Sequence, residues 1–376
     1  RAAQAYAVGR NTDPGPDRPS AVSKLSPYLR HRIITEQEVV AQVLARHDLR
    51  AADKFVQEVL WRTYWNGWLE MRPSVWQNFL RERDHLRDSF GDASTLAAAE
   101  QGRTGIEGFD DWARELVETG YLHNHARMWF ASIWIFTLRL PWALGADFFL
   151  RHLLDADAAS NTLSWRWVAG LQTVGKTYLA TSENIERYTN GRFRPNGLAQ
   201  AAFAFAEEPL LSPKPLRSLS PYHPNKPALL LVTHEDMHPE SWGLKHGAIK
   251  TAVIANDHNL LWGEAARHFV AMACDDVAQR VASHFQCHAK VVHTLHAEQL
   301  IDAARSNNIH QIVTAAAPTG PVASQLAQIT PALASAGISL AELRRDWDDA
   351  FWPYAKKGFF PFKAQIPDVL RERGLI

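Results

Sequence analysis

Three segments between residues 55 and 167 place polar, charged and aromatic side chains at helical spacing: FVQEVLWRTYWNGW, GYLHNHARMWF and DADAASNTLSWRW. Residues at i, i+3 and i+4 share one face of a helix. One such face carries a carboxylate, an indole and a guanidinium: Glu58, Trp61 and Arg62. A second face carries an amide, a guanidinium and a thioether: Asn124, Arg127 and Met128. Opposed across a pocket, the two faces would offer hydrogen bonds, a stacking plane and positive charge, so they predict a site for a redox cofactor and a flat ligand.

The tryptophans of this region also have a plainer interpretation. Most of the 14 tryptophans lie between residues 61 and 167, and tryptophan at helical spacing usually belongs to a core. Trp142 follows a helix break at Pro141, and Trp165 and Trp167 follow a segment rich in Asp and Asn. Aromatic side chains a few ångströms apart can also pass electrons to a buried cofactor. Both interpretations stay open for any single tryptophan.

Composition limits the classes to which the protein can belong. The 376 residues suffice for two or three domains. Lys and Arg number 40 and Asp and Glu number 40, so no overall positive field exists for tight sequence-independent binding to duplex DNA. Two cysteines, Cys274 and Cys287, exclude a disulfide framework and a four-cysteine iron–sulfur cluster. No apolar run is long enough to span a membrane and the polar start lacks a signal-peptide core, so we expect a soluble, cytoplasmic protein without membrane contact.

The pattern of apolar residues predicts a multi-domain α and α/β protein. Residues 1–210 show long amphipathic helical patterns, which predict an all-helical domain. The Pro-rich stretch 211–227 is interpreted as a linker, because proline cannot continue a helix. In residues 228–376, helix-like segments (261–283, 296–307, 320–336) alternate with short apolar runs: ALLLVTHED, KTAVIAN, AKVVHTL, QIVTAAAP and ISLAELR. This alternation predicts a smaller α/β domain with a Rossmann-like parallel sheet, and we expect a structural role for it.

Motifs in the first half of the chain follow a specific order: SKLSPYLRHRIIT at 23–35, the helix with Glu58, Trp61 and Arg62, HNHARM at 123–128, and DADAASNTLSWRW at 155–167. In order and approximate spacing they resemble the FAD-binding domain of the photolyase/cryptochrome family, most closely that of cyclobutane pyrimidine dimer photolyases. The resemblance is clearest over residues 20–195 and implies an all-helical domain that binds FAD. Typical members carry an α/β antenna domain before the FAD-binding domain. Here residues 228–376 faintly resemble that antenna domain and come last, so we expect an inverted domain order.

The resemblance also implies which residues bind the cofactor: Ser23, Leu25, Ser26, Phe55, Arg62, Arg127, Asp155, Asp157 and Asn161. Arg127 and Asp155 match the ion pair beside the isoalloxazine ring, and Asn161 matches the amide that faces flavin N5. Val22 stands where a Thr is usual in the diphosphate loop. Two upstream positions resemble the family's tyrosine and arginine: Tyr6 and Arg10. Taken singly, each acid is equally explained as a helix cap or as part of a surface ion pair.

The residues matched to the catalytic step are Glu58, Asn124, Asn161, Trp165 and Trp142. Those matched to the DNA lesion are Glu58, Trp61, Asn124, Met128 and Trp167. In the family, the positions of Trp165 and Trp142 begin a chain of tryptophans that photoreduces the flavin. The third member has no counterpart near Ser89, so we expect the chain to reach solvent through another aromatic residue such as Trp76 or Trp112.

The activity implied by the resemblance is light-driven DNA repair. Excited FADH⁻ donates an electron to a flipped-out dimer, the two cyclobutane C–C bonds break, and the electron returns. Since a chain without net charge has little phosphate-contact energy to offset duplex opening, we expect single-stranded DNA containing UV-induced dimers to be favoured. The alternative is a cryptochrome-like blue-light photosensor without repair activity. A third alternative is a flavin-free DNA-binding protein, against which the flavin motifs argue.

No obligate protein partner is evident in the sequence. One cluster carries side chains that can ligate metals: His284, Cys287, His288, His293 and His296. Its spacing crosses a predicted strand and fits no standard zinc site, so we predict no metal.

Overall fold

The computed structural model describes residues 2–205 and 212–376. The first half of the chain is helical and the second half contains a parallel sheet. This confirms the predicted combination of a helical FAD-binding type of domain with an α/β domain. The predicted segments 1–210 and 211–227 meet at residues 206–211, which lie outside the described residues, as does residue 1.

Helices follow one another through the first half of the chain: α1 (Gln4–Gly9), α2 (Ser26–Arg30), α3 (Glu36–Leu44), α4 (Leu49–Glu70), α5 (Pro73–Ser89), α6 (Ala93–Glu100), α7 (Phe109–Thr119), α8 (Asn124–Ser132), α9 (Trp142–His152), α10 (Ala158–Val168) and α11 (Ser182–Tyr188). A π-helical turn (Ile133–Thr137) continues α8. Local sequence explains several helix starts. Thr35 and Glu38 form a capping box at α3, Asp48 accepts the Ala51 N–H before α4, and Pro73 begins α5.

The second half contains five parallel strands: β1 (Ala228–Thr233), β2 (Ile249–Ala255), β3 (His288–Val292), β4 (Gln311–Ala315) and β5 (Ser339–Leu343). Their order in the sheet is β3-β2-β1-β4-β5. The intervening helices are α12 (Glu264–Phe285), α13 (Ala297–Ser306) and α14 (Pro321–Ser335). Leu229 and Leu230 of β1 enter two different cores, because successive side chains of a strand point to opposite faces of the sheet. The predicted strands and helical segments of this half are therefore confirmed.

Helices α15 (Asp346–Phe351), α16 (Phe359–Lys363) and α17 (Ile366–Glu372) follow the sheet but pack with the first half of the chain. The Trp347 indole N–H donates to Thr63 Oγ1 of α4 at 3.1 Å. The Phe359 ring stacks on Trp61 with ring centroids 3.6 Å apart. Residues 228–376 are predicted to form one α/β domain, and that division stays a prediction. In the structure, the apolar side chains after β5 cover α4 rather than the sheet.

The carboxyl ends of the strands face the helical half of the molecule. After β1, Glu235 accepts two hydrogen bonds from the Arg30 guanidinium, at 2.5 and 2.8 Å. Arg32 lies between Asp348, at 2.7 Å, and Asp236, at 3.4 Å. In an open parallel sheet, the edge where strand order reverses is the usual position of a ligand. Here the protein's own guanidinium and carboxylate groups lie at that edge.

The described part of the predicted linker runs along both halves of the molecule. The Lys214 N–H donates to the carbonyl of Met71, at the end of α4, at 2.9 Å. Arg217 binds Glu342 of β5 at 2.6 Å and lies 3.3 Å from Glu70 of α4. These contacts join the segment to both halves of the molecule. The division into domains at residues 210 and 228 stays a prediction.

Two further properties concern the described ranges only. None of the helices in residues 2–205 and 212–376 combines the length and apolar character that crossing a membrane requires. In the same ranges, no group of three or more His, Cys, Asp or Glu side chains is arranged to hold a metal ion. Cys274 and Cys287 are free thiols.

Candidate active site

Helix α4 presents the first predicted face where the helix is only partly covered. Glu58, Trp61 and Arg62 all keep some exposure, although most of the surrounding helix is buried. Arg10, which follows α1, forms an ion pair with Glu58, whose side chain remains 30% exposed. Burial raises the pKa of Glu58, and the Arg10 guanidinium acts against that rise. The face therefore presents a carboxylate, an indole and a guanidinium that are each partly exposed.

Helix α8 presents the second predicted face. Asn124 begins the helix and is exposed, and Arg127 follows one turn later. The Arg127 Nη1 and Nη2 atoms lie 3.4 and 3.5 Å from Asp155 Oδ2, which is long for hydrogen bonds. Its side chain is 23% exposed. The ion pair therefore leaves guanidinium N–H groups available to another acceptor.

Tyr121 connects this ion pair to the loop before α2. The Arg127 guanidinium lies 5.7 Å from the Tyr121 ring centroid, and the Lys24 ammonium lies 5.2 Å from the same centroid. Burial raises the pKa of Tyr121, so its hydroxyl stays protonated at neutral pH. Cations from two separate elements thus converge on one ring beside Asp155.

Asp157 joins three helices at one point. Its Oδ1 accepts the Ser160 N–H at 2.5 Å and so caps α10. Its Oδ2 forms an ion pair with Arg62 of α4 and lies 3.6 Å from Nε of Arg30 in α2. Burial alone would raise the pKa of Asp157, but Arg62 and Arg30 outweigh burial and hold that pKa below its usual range. The carboxylate therefore stays ionised while it holds α2, α4 and α10 together.

The loop before α2 contains the predicted diphosphate contacts. Ser23 is exposed and Leu25, which precedes the helix, is partly exposed. The Ser26 Oγ atom is buried, and within the described residues it has no hydrogen-bond partner. A buried hydroxyl without a partner costs free energy, so a ligand oxygen or nitrogen would satisfy it.

The predicted upstream residue Tyr6 packs against helix α4. Its ring meets Phe55 of α4 edge to face, with centroids 5.1 Å apart, and both residues are buried. Burial raises the pKa of Tyr6 and the nearby Glu58 carboxylate raises it further. The predicted cofactor residue Phe55 therefore packs in the wall rather than at the surface.

Asn161, Trp165 and Trp142 lie in the interior. The Asn161 side-chain N–H donates to a backbone carbonyl of α9 at 2.8 Å, and its amide oxygen accepts no hydrogen bond from the described residues. Trp165 meets Phe149 edge to face at 5.1 Å, and Trp142 lies 5.7 Å from Phe79. The amide oxygen is therefore available to a ligand N–H.

Aromatic contacts continue outward from Trp142. Phe79 lies 5.3 Å from Trp76, and Trp76 lies 5.6 Å from Trp262, which is partly exposed. Trp112, the other residue that the sequence suggested, is buried and stacks on a neighbouring indole at 5.4 Å. The route through Trp76 therefore reaches the surface by continuous ring contacts.

The predicted lesion contacts share partial or full exposure: Glu58, Trp61, Asn124, Met128 and Trp167. Trp167 stacks on Tyr178 with centroids 5.7 Å apart. The Trp61 indole likewise stacks on a ring of the chain, that of Phe359, at the shorter centroid distance of 3.6 Å.

Sequence reasoning missed three residues that shape this site. Arg30 lies inside the SPYLRHR motif, but its contacts with both Asp157 and Glu235 depend on the fold. Tyr121 precedes the HNHARM motif by only two positions, so proximity was an available signal. Phe359 had no signal, because it is distant in sequence from the helix that it covers.

Comparison with known proteins follows the same part of the chain. A family model described as the FAD-binding domain of DNA photolyase matches residues 55–192. The chain carries an FAD-binding domain of the photolyase family. The matched range of this FAD-binding domain contains both helical faces, the Arg127–Asp155 pair and α10. The match lies in the helical half, and the inverted domain order stays a prediction.

Individual relatives match a similar share of the chain. The deoxyribodipyrimidine photo-lyase of Streptomyces griseus is 36% identical over 154 residues, which are 41% of this chain and 33% of that protein. The enzyme of the same name from Escherichia coli is 31% identical over 161 residues, 42% of this chain and 33% of that protein. A crystal structure of a class III photolyase from Agrobacterium tumefaciens is 29% identical, with a TM-score of 0.42, and the match covers 50% of this chain and 40% of that one. This chain therefore spans about a third of the length of these curated relatives.

FAD is the cofactor of this domain family, and residues of the site fit it. The Ser26 hydroxyl lacks a partner among residues 2–205 and 212–376, and Arg127 keeps a partly exposed guanidinium. The Asn161 amide oxygen is also available. Phosphate oxygens, ring carbonyls and a ring N–H are the groups that would satisfy these atoms.

Proposed function

We propose that this protein is a deoxyribodipyrimidine photolyase, a carbon–carbon lyase that splits cyclobutane pyrimidine dimers in DNA under blue light. When bound, reduced FAD supplies a light-excited electron donor. The residues of the chain bind and orient the lesion, exclude water from the cofactor and position hydrogen bonds. We further propose that the protein acts in the cytoplasm and favours single-stranded DNA, since its net charge of +0 offers little phosphate-contact energy for opening a duplex.

One observation carries the proposal: the site residues divide into an accessible set and a buried set. The accessible set contains the proposed lesion contacts: Glu58, Trp61, Asn124, Met128 and Trp167. The buried set contains the groups proposed to face the flavin or conduct electrons: Asn161, Trp165 and Trp142. Repair of DNA by a redox cofactor needs both conditions at once, because a base must enter from solvent while water is kept from the cofactor. A purely structural helical core would need no accessible set.

The contacts suggest a role for each accessible group. Trp61 and Trp167 offer aromatic planes to an extrahelical pair of bases, as stacking proteins do for single-stranded DNA. The Glu58 carboxylate, which forms an ion pair with Arg10, has oxygen atoms that can accept hydrogen bonds from N–H groups on a base edge. The exposed amide of Asn124 can both donate and accept.

The buried groups would act on the cofactor. The Asn161 oxygen would accept a hydrogen bond from the flavin N5–H, which holds that proton in place and favours the reduced form. Arg127 would place a positive charge beside the ring, with Asp155 fixing its orientation. The ring contacts from Trp142 through Phe79 and Trp76 support an electron route that ends at Trp262.

The test is repair of a dimer-containing oligo-dT by the purified, reduced protein under blue light, followed as recovery of thymine absorbance against a dark control. We expect light-dependent recovery, faster for single strands than for duplex at equal salt. Trp167→Ala should weaken lesion binding about 10-fold, the effect of losing one stacked base, without loss of the flavin spectrum. Bound flavin without light-dependent recovery would refute the photolyase assignment.

A second candidate function is a cryptochrome-like blue-light photosensor without repair activity. It is favoured by the partners that two proposed lesion contacts already have within the chain. Trp61 stacks on Phe359, and Glu58 forms an ion pair with Arg10. Photoreduction of the flavin in a protein that neither binds nor repairs dimer-containing DNA would support the sensor.

A further inference from the structure

A short segment near the end of the chain exposes aromatic and basic side chains together. Its members are Tyr354, Lys356, Lys357 and Phe360, and we call them the C-terminal strip. The Phe360 ring is 80% exposed and the Tyr354 ring is 43% exposed. Both lysines are exposed, and residues 352–363 contain no acidic side chain.

The strip is fastened to the helix that carries the first site face. The Tyr64 hydroxyl of α4 donates to the Lys357 carbonyl at 2.8 Å. The Arg72 guanidinium donates to the Lys356 carbonyl, also at 2.8 Å. Phe359, next to Phe360, stacks on Trp61. These backbone and ring contacts use the inner side of the segment and leave the lysine side chains and the Phe360 ring outside.

The two lysines differ from other cations near the site. Arg10, Arg62 and Arg127 each pair with a carboxylate of the chain. Within the described ranges, the ion pairs of lysines are those of Lys54 and Lys363 with Asp53, so Lys356 and Lys357 have no carboxylate partner. In a chain of zero net charge, this is a local excess of positive charge, on a segment bound by Tyr64 one helical turn from Trp61.

We propose that the C-terminal strip is a binding surface for single-stranded DNA, in which Lys356 and Lys357 contact phosphates and Phe360 stacks on an unpaired base. The proposal rests on the proposed function, since it extends the same DNA site along α4. Unpaired ammonium groups are complementary to phosphate, and an exposed ring offers a plane that every base can use. A paired duplex buries its base faces in its own stack, so the ring favours single strands. The strip would thus hold the DNA next to the lesion close to the exposed face of α4.

The experiment measures binding of undamaged, fluorescently labelled oligo-dT to the flavin-loaded protein in the dark, by anisotropy over a series of salt concentrations. Lys356→Glu/Lys357→Glu should lower the slope of log affinity against log salt by about 1.4, since each phosphate contact on a single strand contributes about 0.7. Phe360→Ala should weaken binding about 10-fold at constant salt and leave that slope unchanged.

The matched control is Lys226→Glu/Lys250→Glu. It makes the same charge change on exposed lysines, but next to the starts of β1 and β2. That edge of the sheet is opposite the one that faces the helical half. The control should bind oligo-dT as the unchanged protein does. Flavin absorbance and circular dichroism show whether each variant is folded.

Equal oligo-dT binding by the strip variants and the control would overturn the inference. It would equally be overturned if the strip variants lost binding to anionic lipid vesicles and kept binding to oligo-dT. Because the assay uses undamaged DNA in the dark, it separates the two proposals. If oligo-dT binding depends on the strip but the protein does not repair dimers under light, the photolyase assignment is refuted and the binding surface stands. If a strip variant binds oligo-dT with unchanged affinity and repairs dimers, the binding surface is refuted and the photolyase assignment stands.

Discussion

The carboxyl edge of the sheet and the candidate site on α4, α8 and α10 both contain charged side chains, but the two regions satisfy these charges differently. At the sheet edge, Arg30 and Glu235 are buried and bind each other through two hydrogen bonds. Arg32 and Asp348 are also buried, and Nη2 of Arg32 donates to both carboxylate oxygens of Asp348. At the candidate site, Nη1 of Arg127 lies 3.4 Å from Oδ2 of Asp155, and the Arg127 side chain remains partly exposed. At the sheet edge, the charged side chains therefore satisfy one another. On the helical half, the Arg127 guanidinium keeps N–H groups that could bind a ligand.

Because of this difference, strand topology alone would place a site at the sheet edge, whereas we propose the site on the helical half. The point of strand reversal in a parallel sheet is a frequent ligand position, and β1 and β4 meet there. Here the SPYLRHR segment of the helical half supplies guanidinium groups to that edge and closes it. Function is therefore best assigned from unsatisfied polar atoms rather than from fold class.

The largest expected effect comes from breaking the closed edge. Arg32→Met would leave Asp348 buried without its bidentate partner, which typically costs about 3–5 kcal/mol. We expect that loss in the free energy of unfolding measured by urea titration. The matched control is Arg371→Met, because Arg371 pairs with Asp368 at the exposed surface, where the change should stay within about 0.5 kcal/mol. If both variants lost a similar free energy of unfolding, the buried ion pair at the sheet edge would contribute no more to stability than the exposed surface pair does.

A smaller effect should appear on acidification. Burial lowers the pKa of His31 and of His234, at the sheet edge, to about 3. Below about pH 6.5 the unfolded chain binds these protons and the folded chain does not, so stability is present at neutral pH and is lost as the pH falls toward 3. Each histidine should contribute a slope of about 1.4 kcal/mol per pH unit in that range.

Urea unfolding at a series of pH values between 7.5 and 5 measures this slope. The difference between the unchanged protein and His234→Gln isolates one histidine from neighbouring carboxylates. His85→Gln, a change at an exposed position, is the control. If His234→Gln left the pH dependence of stability unaltered, burial of that imidazole in its neutral form would be disproved.

The smallest expected effect concerns the Ser26 hydroxyl in the candidate site. Ser26→Ala removes a hydroxyl without a partner in the described chain, so stability should not fall. Affinity for FAD should weaken about 3- to 10-fold, the usual value of one hydrogen bond. Thr35→Ala removes a hydroxyl that caps α3 and should cost about 1 kcal/mol of stability with FAD affinity unchanged. Titration of FAD into the apoprotein measures affinity, and urea unfolding measures the stability of both variants. A loss of stability without a loss of FAD affinity in Ser26→Ala would contradict the prediction.

Local pattern predicted much of the fold. The short apolar runs became β1 to β5, and the spacing of Glu58, Trp61 and Arg62 did place them on one face of α4. Ordered motifs also predicted the FAD-binding domain, which the family match confirms. The roles assigned to individual site residues stay predictions. The packing of α15 to α17 against α4 was not predicted, because the apolar pattern of a helix shows that one face is covered without showing by what.

By itself, the sequence determined the elements, the faces of the helices and the chemical groups available to a flavin. These depend on residues a few positions apart, whose geometry is set by the helical and strand repeats. Tertiary structure alone decided that Arg30 joins Asp157 to Glu235 and that Phe359 covers Trp61. Such contacts arise when separate elements pack their surfaces together, and local periodicity carries no information about which surfaces meet.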